Sequence, residues 1–166
     1  MKRFLMACLV AGFVTPAQAQ DDNPFVELKV LKPEVALQMV QAALAHCRDG
    51  GYQVGVMVVD RFGVPQAFMR DRFAGIHVFE TTRRKAWTAV SFRTDTTELA
   101  TATAAGEPLS GLRELSQALP LGGGLVVLDG EGSLVAGIGV SGAPGGDLDD
   151  ECAQAGIDAV EDQIAF

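Results

Sequence analysis

Apolar side chains at Val35, Met39, Val40, Ala43, Leu44 and Cys47 recur every three or four residues, the spacing of one helix face. Pro33 suits the first turn of that helix, and Gly50-Gly51 suits its end. Residues 54–59 (VGVMVV) form a short unbroken apolar run, which predicts a strand covered on both faces. Residues 60–63 (DRFG) read as a tight turn and 64–70 as the returning strand, so the sheet begins as an antiparallel hairpin. After a loop at 72–77, helical spacing resumes over 78–92, with Glu80, Arg83 and Arg84 on the wet side. A shorter helix is predicted over 94–103, capped by Thr94 or Asp95 with Glu98 completing a capping box.

The second half reads as strands and a closing helix. Residues 115–119 are expected to form a short strand, followed by Gly122-Gly123-Gly124, where backbone can pass close to another group. Residues 125–128 and 134–140 read as two strands joined by a turn at Asp129-Gly130-Glu131-Gly132. A last helix is predicted over 147–164, with Asp147, Asp149, Asp150 and Glu151 at its N-terminus, where the helix dipole favours negative charge. The order is α-β-β-α-(α)-β-β-β-α, an α+β domain without internal repeats.

The N-terminus changes the picture of where this domain works. Lys2 and Arg3 precede an apolar stretch over 4–14, and Ala17-Gln18-Ala19 has the form of a cleavage site. Residues 1–19 are therefore expected to be a signal peptide, 20–32 a leader and 33–166 the single domain, in the periplasm or secreted. Cleavage removes two positive charges from a chain of net charge -8, leaving about -10. Such a surface opposes binding to nucleic acid or to anionic membrane. Cys47 and Cys152 remain after cleavage. An even pair in an oxidising compartment invites a disulfide, and two buried thiols are the alternative.

Candidate chemistry is sparse. The two histidines are His46, near the end of the first helix, and His77, at a loop-to-helix junction. An imidazole at 77 can serve as an axial haem ligand, or simply as a polar residue at a helix start. Lys85, with Arg83 and Arg84 beside it, can pair with carboxylates such as haem propionates or an organic acid, or form a solvated helix face. Ser141 lacks both the second glycine of a nucleophile elbow and a downstream histidine, which excludes that hydrolase pattern. Gly137-x-Gly139 lies inside a strand and is no dinucleotide fingerprint. No H-x-x-x-H or C-x-x-C pattern favours a structural zinc site.

One ordered set of segments carries a resemblance. Val58-Val59-Asp60-x-x-Gly63, Arg70-Asp71, Arg84-Lys85-Ala86-Trp87-Thr88-Ala89, Gly122-Gly123, Gly137-Ile138-Gly139-Val140-Ser141-Gly142 and Ala155-Gly156 follow one another along the chain. Together they resemble the GlcG/HbpS family of haem-binding proteins, also seen as the C-terminal domain of PduO-type proteins, over residues 33–164. The resemblance implies a profilin-like three-layer sandwich, a five-stranded antiparallel sheet flanked by helices, with the first and last helices on one sheet face. A Cys47–Cys152 disulfide would then close a loop of roughly 100 residues, worth about 2–4 kcal/mol. The resemblance also implies haem as cofactor, with His77 or Thr88 as iron ligand and Lys85 or Arg84 near the propionates. It further implies a homo-oligomer with a role in haem or iron sensing or haem degradation. Met69 is a further soft ligand on chemistry, though its pattern suits the core. The residues alone also admit a small organic-acid binding module using Lys85, Arg84 and the amides of Gly122 to Gly124. An accessory of a periplasmic oxidoreductase belongs to that same second reading, and a structural partner docking on a sensor or enzyme through its acidic surface is a third. No general base, nucleophile or closed metal site is evident, so no catalytic residue is assigned.

Overall fold

A computed structural model describes residues 23–166. The signal peptide expected over 1–19 lies outside the described residues. Helix α1 (Pro33–Asp49) leads into strands β1 (Gly55–Asp60) and β2 (Pro65–Arg70), then helices α2 (Val78–Phe92) and α3 (Thr96–Ala102). A 3₁₀ turn (Ser110–Glu114) precedes strands β3 (Gly124–Leu128) and β4 (Leu134–Ser141), and helices α4 (Gly146–Asp158) and α5 (Glu161–Ile164) close the chain. The sheet is antiparallel throughout, in the order β2-β1-β4-β3.

Among the described residues the sheet has four strands and not five. Residues 115–119, expected as a strand, run as irregular chain. Their backbone groups are satisfied by local turns and by α2 side chains, and not by a neighbouring strand. Arg84 donates to the carbonyl of Ala118, and the Leu119 N–H donates to Thr88 Oγ1 at 2.8 Å. Pro120 follows and has no N–H to offer a ladder. The predicted last helix also breaks, at Ala159 and Val160, into α4 and α5. The expected capping box is absent: Asp95 Oδ1 accepts from Val126 N–H of β3 instead.

The apolar run of β1 is explained by two covered faces. Val56 and Val58 join Met39, Val40 and Leu44 of α1, Ile138 and Val140 of β4, and Ala153 of α4 in the larger core. Met57 and Val59 face the other way, onto Ala86 and Val90 of α2. Helices α1 and α4 thus cover one face and α2 the other. Gly139 makes the second contact possible, since a Cβ there would strike the Thr82 carbonyl of α2. The Gly137-x-Gly139 pair is therefore a helix-packing device. A disulfide joins Cys47 of α1 to Cys152 of α4, with the Cα atoms 5.5 Å apart. Among the described residues, no helix is long and apolar enough to cross a membrane.

Candidate functional site

A cleft of about 550 Å³ opens where β4 runs into α4. One wall is Tyr52 and Gln53, which follow α1. The opposite wall is the glycine-rich turn from Ser141 to Gly146. Phe73, Gly75 and His77, from the loop before α2, form the mouth together with Leu121.

Lys85 forms the floor. It is among the largest fully buried side chains of the described residues, 1% exposed. Helix α2 carries it inward, one residue before Ala86 of the sheet contact. Its Nζ donates to the Val140 carbonyl at 2.9 Å and to Asp149 Oδ2 at 2.8 Å. Asp149 Oδ1 in turn accepts the Ala143 N–H at 3.1 Å. Burial pushes the Asp149 carboxyl above the usual carboxylate range, and Lys85 with the Ala143 amide opposes that rise. The result is a buried ion pair that ties α2, the end of β4, the 143 turn and α4 together.

The glycine run at 122–124 is shaped by this pair. Gly123 has φ +107, and a Cβ there would lie 2.8 Å from Lys85 Nζ and 2.7 Å from Asp149 Cβ. The Gly123 N–H donates to Asp150 Oδ1, which fixes the run against α4.

His77 is exposed at the cleft mouth, directly before α2. Its imidazole makes no hydrogen bond to another described residue. Two apolar, solvent-facing side chains share the mouth with it, Phe73 at 79% and Leu121 at 49% exposed, and Ile76, 94% exposed, precedes it in the chain. The cleft thus has an apolar mouth with one free imidazole, over a polar floor. Gln53 Oε1, buried on the wall, has no hydrogen-bond partner among the described residues.

The remaining sequence candidates lie elsewhere. Thr88 is fully buried, does not line the cleft, and its hydroxyl is held by Leu119 N–H. Arg84 is committed to the carbonyls of Gln117 and Ala118, and Arg83 pairs with Glu80. Met69 packs against the α1 core. His46 borders a separate hollow of about 250 Å³ beside Cys152. A larger hollow of about 630 Å³ lies between the leader and the β3–β4 turn, but none of the candidate residues lines it. Among the described residues, no group of three His, Cys, Asp or Glu side chains is placed to hold a metal ion.

Asp149 and Gln53 were not singled out by sequence. A signal for Asp149 was present: Cys152, Ala153 and Gly156 follow it at three-, four- and seven-residue spacing, which puts it on the buried face of α4. The acidic run around it hides that position as one more helix-terminal charge.

Comparison with known proteins gives the same picture of the whole domain. The family model described as "Haem degrading protein HbpS-like" matches residues 31–158. A double mutant of Streptomyces reticuli HbpS is 36% identical, with TM-score 0.77, over 89% of this chain and 97% of that one. The structure of the PduOC–haem complex is 30% identical, with TM-score 0.73, over 78% of this chain and 94% of that one. The corrinoid adenosyltransferase PduO of Salmonella typhimurium is 30% identical over 143 residues, 85% of this chain and 39% of the enzyme. The chain thus spans well under half the length of the PduO enzymes it matches.

Proposed function

The chain belongs to the HbpS-like family of haem-degrading proteins, and from that premise we propose that it binds haem in the cleft closed by Lys85 and Asp149. The observation that carries the proposal is His77, a free imidazole set among exposed apolar side chains. A porphyrin needs an apolar surface for its ring and a nitrogen donor for its iron. The cleft volume lies within the usual range for small-ligand sites, about 300–1,000 Å³. Bound haem supplies an iron whose reactivity is set by its axial ligand and by the polarity around it.

In this reading His77 ligates the iron, and Phe73, Ile76 and Leu121 flank the ring. Lys85 does not neutralise a propionate, because Asp149 already takes its charge. Arg84 does not either, because its guanidinium is bound to carbonyls. Arg72, whose guanidinium lies 5.7 Å from the Phe73 ring centre, is the cation we assign to a propionate. The Cys47–Cys152 disulfide supports a periplasmic or secreted location. The exposed apolar rim supports assembly into a homo-oligomer. We place haem capture first and treat haem sensing or degradation as functions built on it.

Hemin titration of the purified protein tests the proposal. A saturable Soret shift is expected in the wild type, weakened in Arg72→Ala and lost or displaced in His77→Ala. The same shift and affinity in His77→Ala would remove His77 from the site.

A further inference from the structure

The Cys47–Cys152 bond lies behind the cleft and joins the two elements that carry its walls. Cys47 is in the last turn of α1, and the wall residues Tyr52 and Gln53 follow that helix directly. Tyr52 N–H donates to the Cys47 carbonyl at 2.8 Å, so this wall hangs on the cysteine itself. Cys152 stands one helical turn beyond Asp149, the residue that holds Lys85 and the Ala143 amide of the other wall. One covalent bond across the α1–α4 contact therefore adds to the β1–β4 pairing of Gly55 with Ser141 in setting how the walls stand.

A hollow also lies beside that bond. The hollow of about 250 Å³ next to the cleft is bordered by Cys152, Tyr52, Leu148 and Glu151, and Tyr52 is shared by both cavities. Both cysteines are buried, Cys47 at 0% and Cys152 at 2% exposed, and of the two only Cys152 borders the hollow.

We propose that the Cys47–Cys152 disulfide is a thiol-addressable latch on the cleft, opened by an external dithiol that enters through the hollow beside Tyr52. The ligand-affinity part of this inference rests on the haem reading above; the opening of the walls does not. In the first step a thiolate of the dithiol attacks Sγ of Cys152. The protein S–S bond breaks, and Cys47 leaves as a thiolate that takes a proton from water. The second thiolate of the dithiol then displaces Cys152, leaving two protein thiols and the oxidised dithiol. Without the bond, the 51–53 and 141–149 segments keep only non-covalent ties, and the cleft must be ordered again on binding.

Two measurements decide it. Folded ligand-free protein is treated with dithiothreitol, thiols are counted by alkylation and mass spectrometry, and amide hydrogen exchange is followed along the chain. The latch predicts two new thiols in the folded protein and faster exchange confined to 50–53 and 141–152, with α2 and β1 unchanged. Hemin affinity is then compared between the wild type and Cys47→Ala/Cys152→Ala, and it should fall about fivefold or more. Should the double variant fail to fold, the exchange result on reduced wild type decides alone. A bond that dithiothreitol cannot open in the folded protein overturns the latch, as does reduction that leaves both walls exchanging as before. A double variant of unchanged hemin affinity also overturns it. Oxidised wild type that binds no hemin would refute the haem reading and leave the exchange test to judge the latch.

Discussion

Lys85→Met removes the ammonium from the cleft floor while keeping a long apolar side chain of similar reach. In the wild type the Lys85 and Asp149 side chains are 1% and 5% exposed, so water screens neither. Taking one partner from such a pair leaves the other charge buried without compensation, which costs about 3–5 kcal/mol. For a domain of this size that corresponds to a fall in Tm of roughly 6–20 °C. The sign of the pH dependence follows from Asp149. Its folded pKa is already raised by burial, and Lys85 is the first of the groups opposing that rise. In Lys85→Met the folded carboxyl therefore binds a proton more readily than the unfolded one. The penalty is largest at neutral pH and shrinks as pH falls through the folded Asp149 pKa. Lys85→Met/Asp149→Leu, which removes both charges, should recover most of the loss. Thermal unfolding of both variants between pH 4 and pH 8 (a range spanning about the usual carboxylate pKa and neutrality) is the assay. A single-variant cost below about 1 kcal/mol, the size of an exposed pair, would refute the buried floor. So would a penalty that does not ease on acidification.

Further outcomes follow from other contacts. Arg48 binds Asp71 with two nitrogens and holds its carboxyl below the usual range, so the pair stabilises above the unfolded pKa of 3.8 and loses that contribution as pH falls through the folded value. The Tm gap between wild type and Asp71→Asn should accordingly close in acid. Gly139→Ala pushes a methyl into the Thr82 carbonyl and should cost about 1–3 kcal/mol or more in chemical denaturation, because backbone on both sides must move. Thr88→Val leaves the Leu119 N–H without its acceptor, so amide exchange should rise over 115–120 while hemin affinity stays unchanged.

The sequence carried the layers of this fold better than its floor. The 3.6-residue pattern over 78–92 coincides with α2, and the unbroken run at 54–59 is the doubly covered central strand, because periodicity records which faces are buried. The fifth strand misled because 115–119 is a short run of leucines and alanine around two polar residues with no β-branched or aromatic side chain, and its backbone bonds come from local turns and from Arg84 and Thr88 of a helix thirty residues earlier. Local pattern holds no record of such long-range partners. The same applies to Lys85, which sits between Arg84 and Ala86 like any basic residue of a wet face. Only the return of α4 brings Asp149 to it. His77 was legible as a residue at a helix start, but its apolar surroundings come partly from Leu121, far along the chain.

The assignment of His77 to haem iron is tested most directly by nitrogen hyperfine spectroscopy of the ferric complex, with protein labelled with ¹⁵N only at histidine. The chain has two histidines, so His46→Ala and His77→Ala complete the set. Ligation by His77 predicts a directly coordinated ¹⁵N signal in the wild type and in His46→Ala, and its loss in His77→Ala. A signal that survives in His77→Ala, or disappears in His46→Ala, would contradict it.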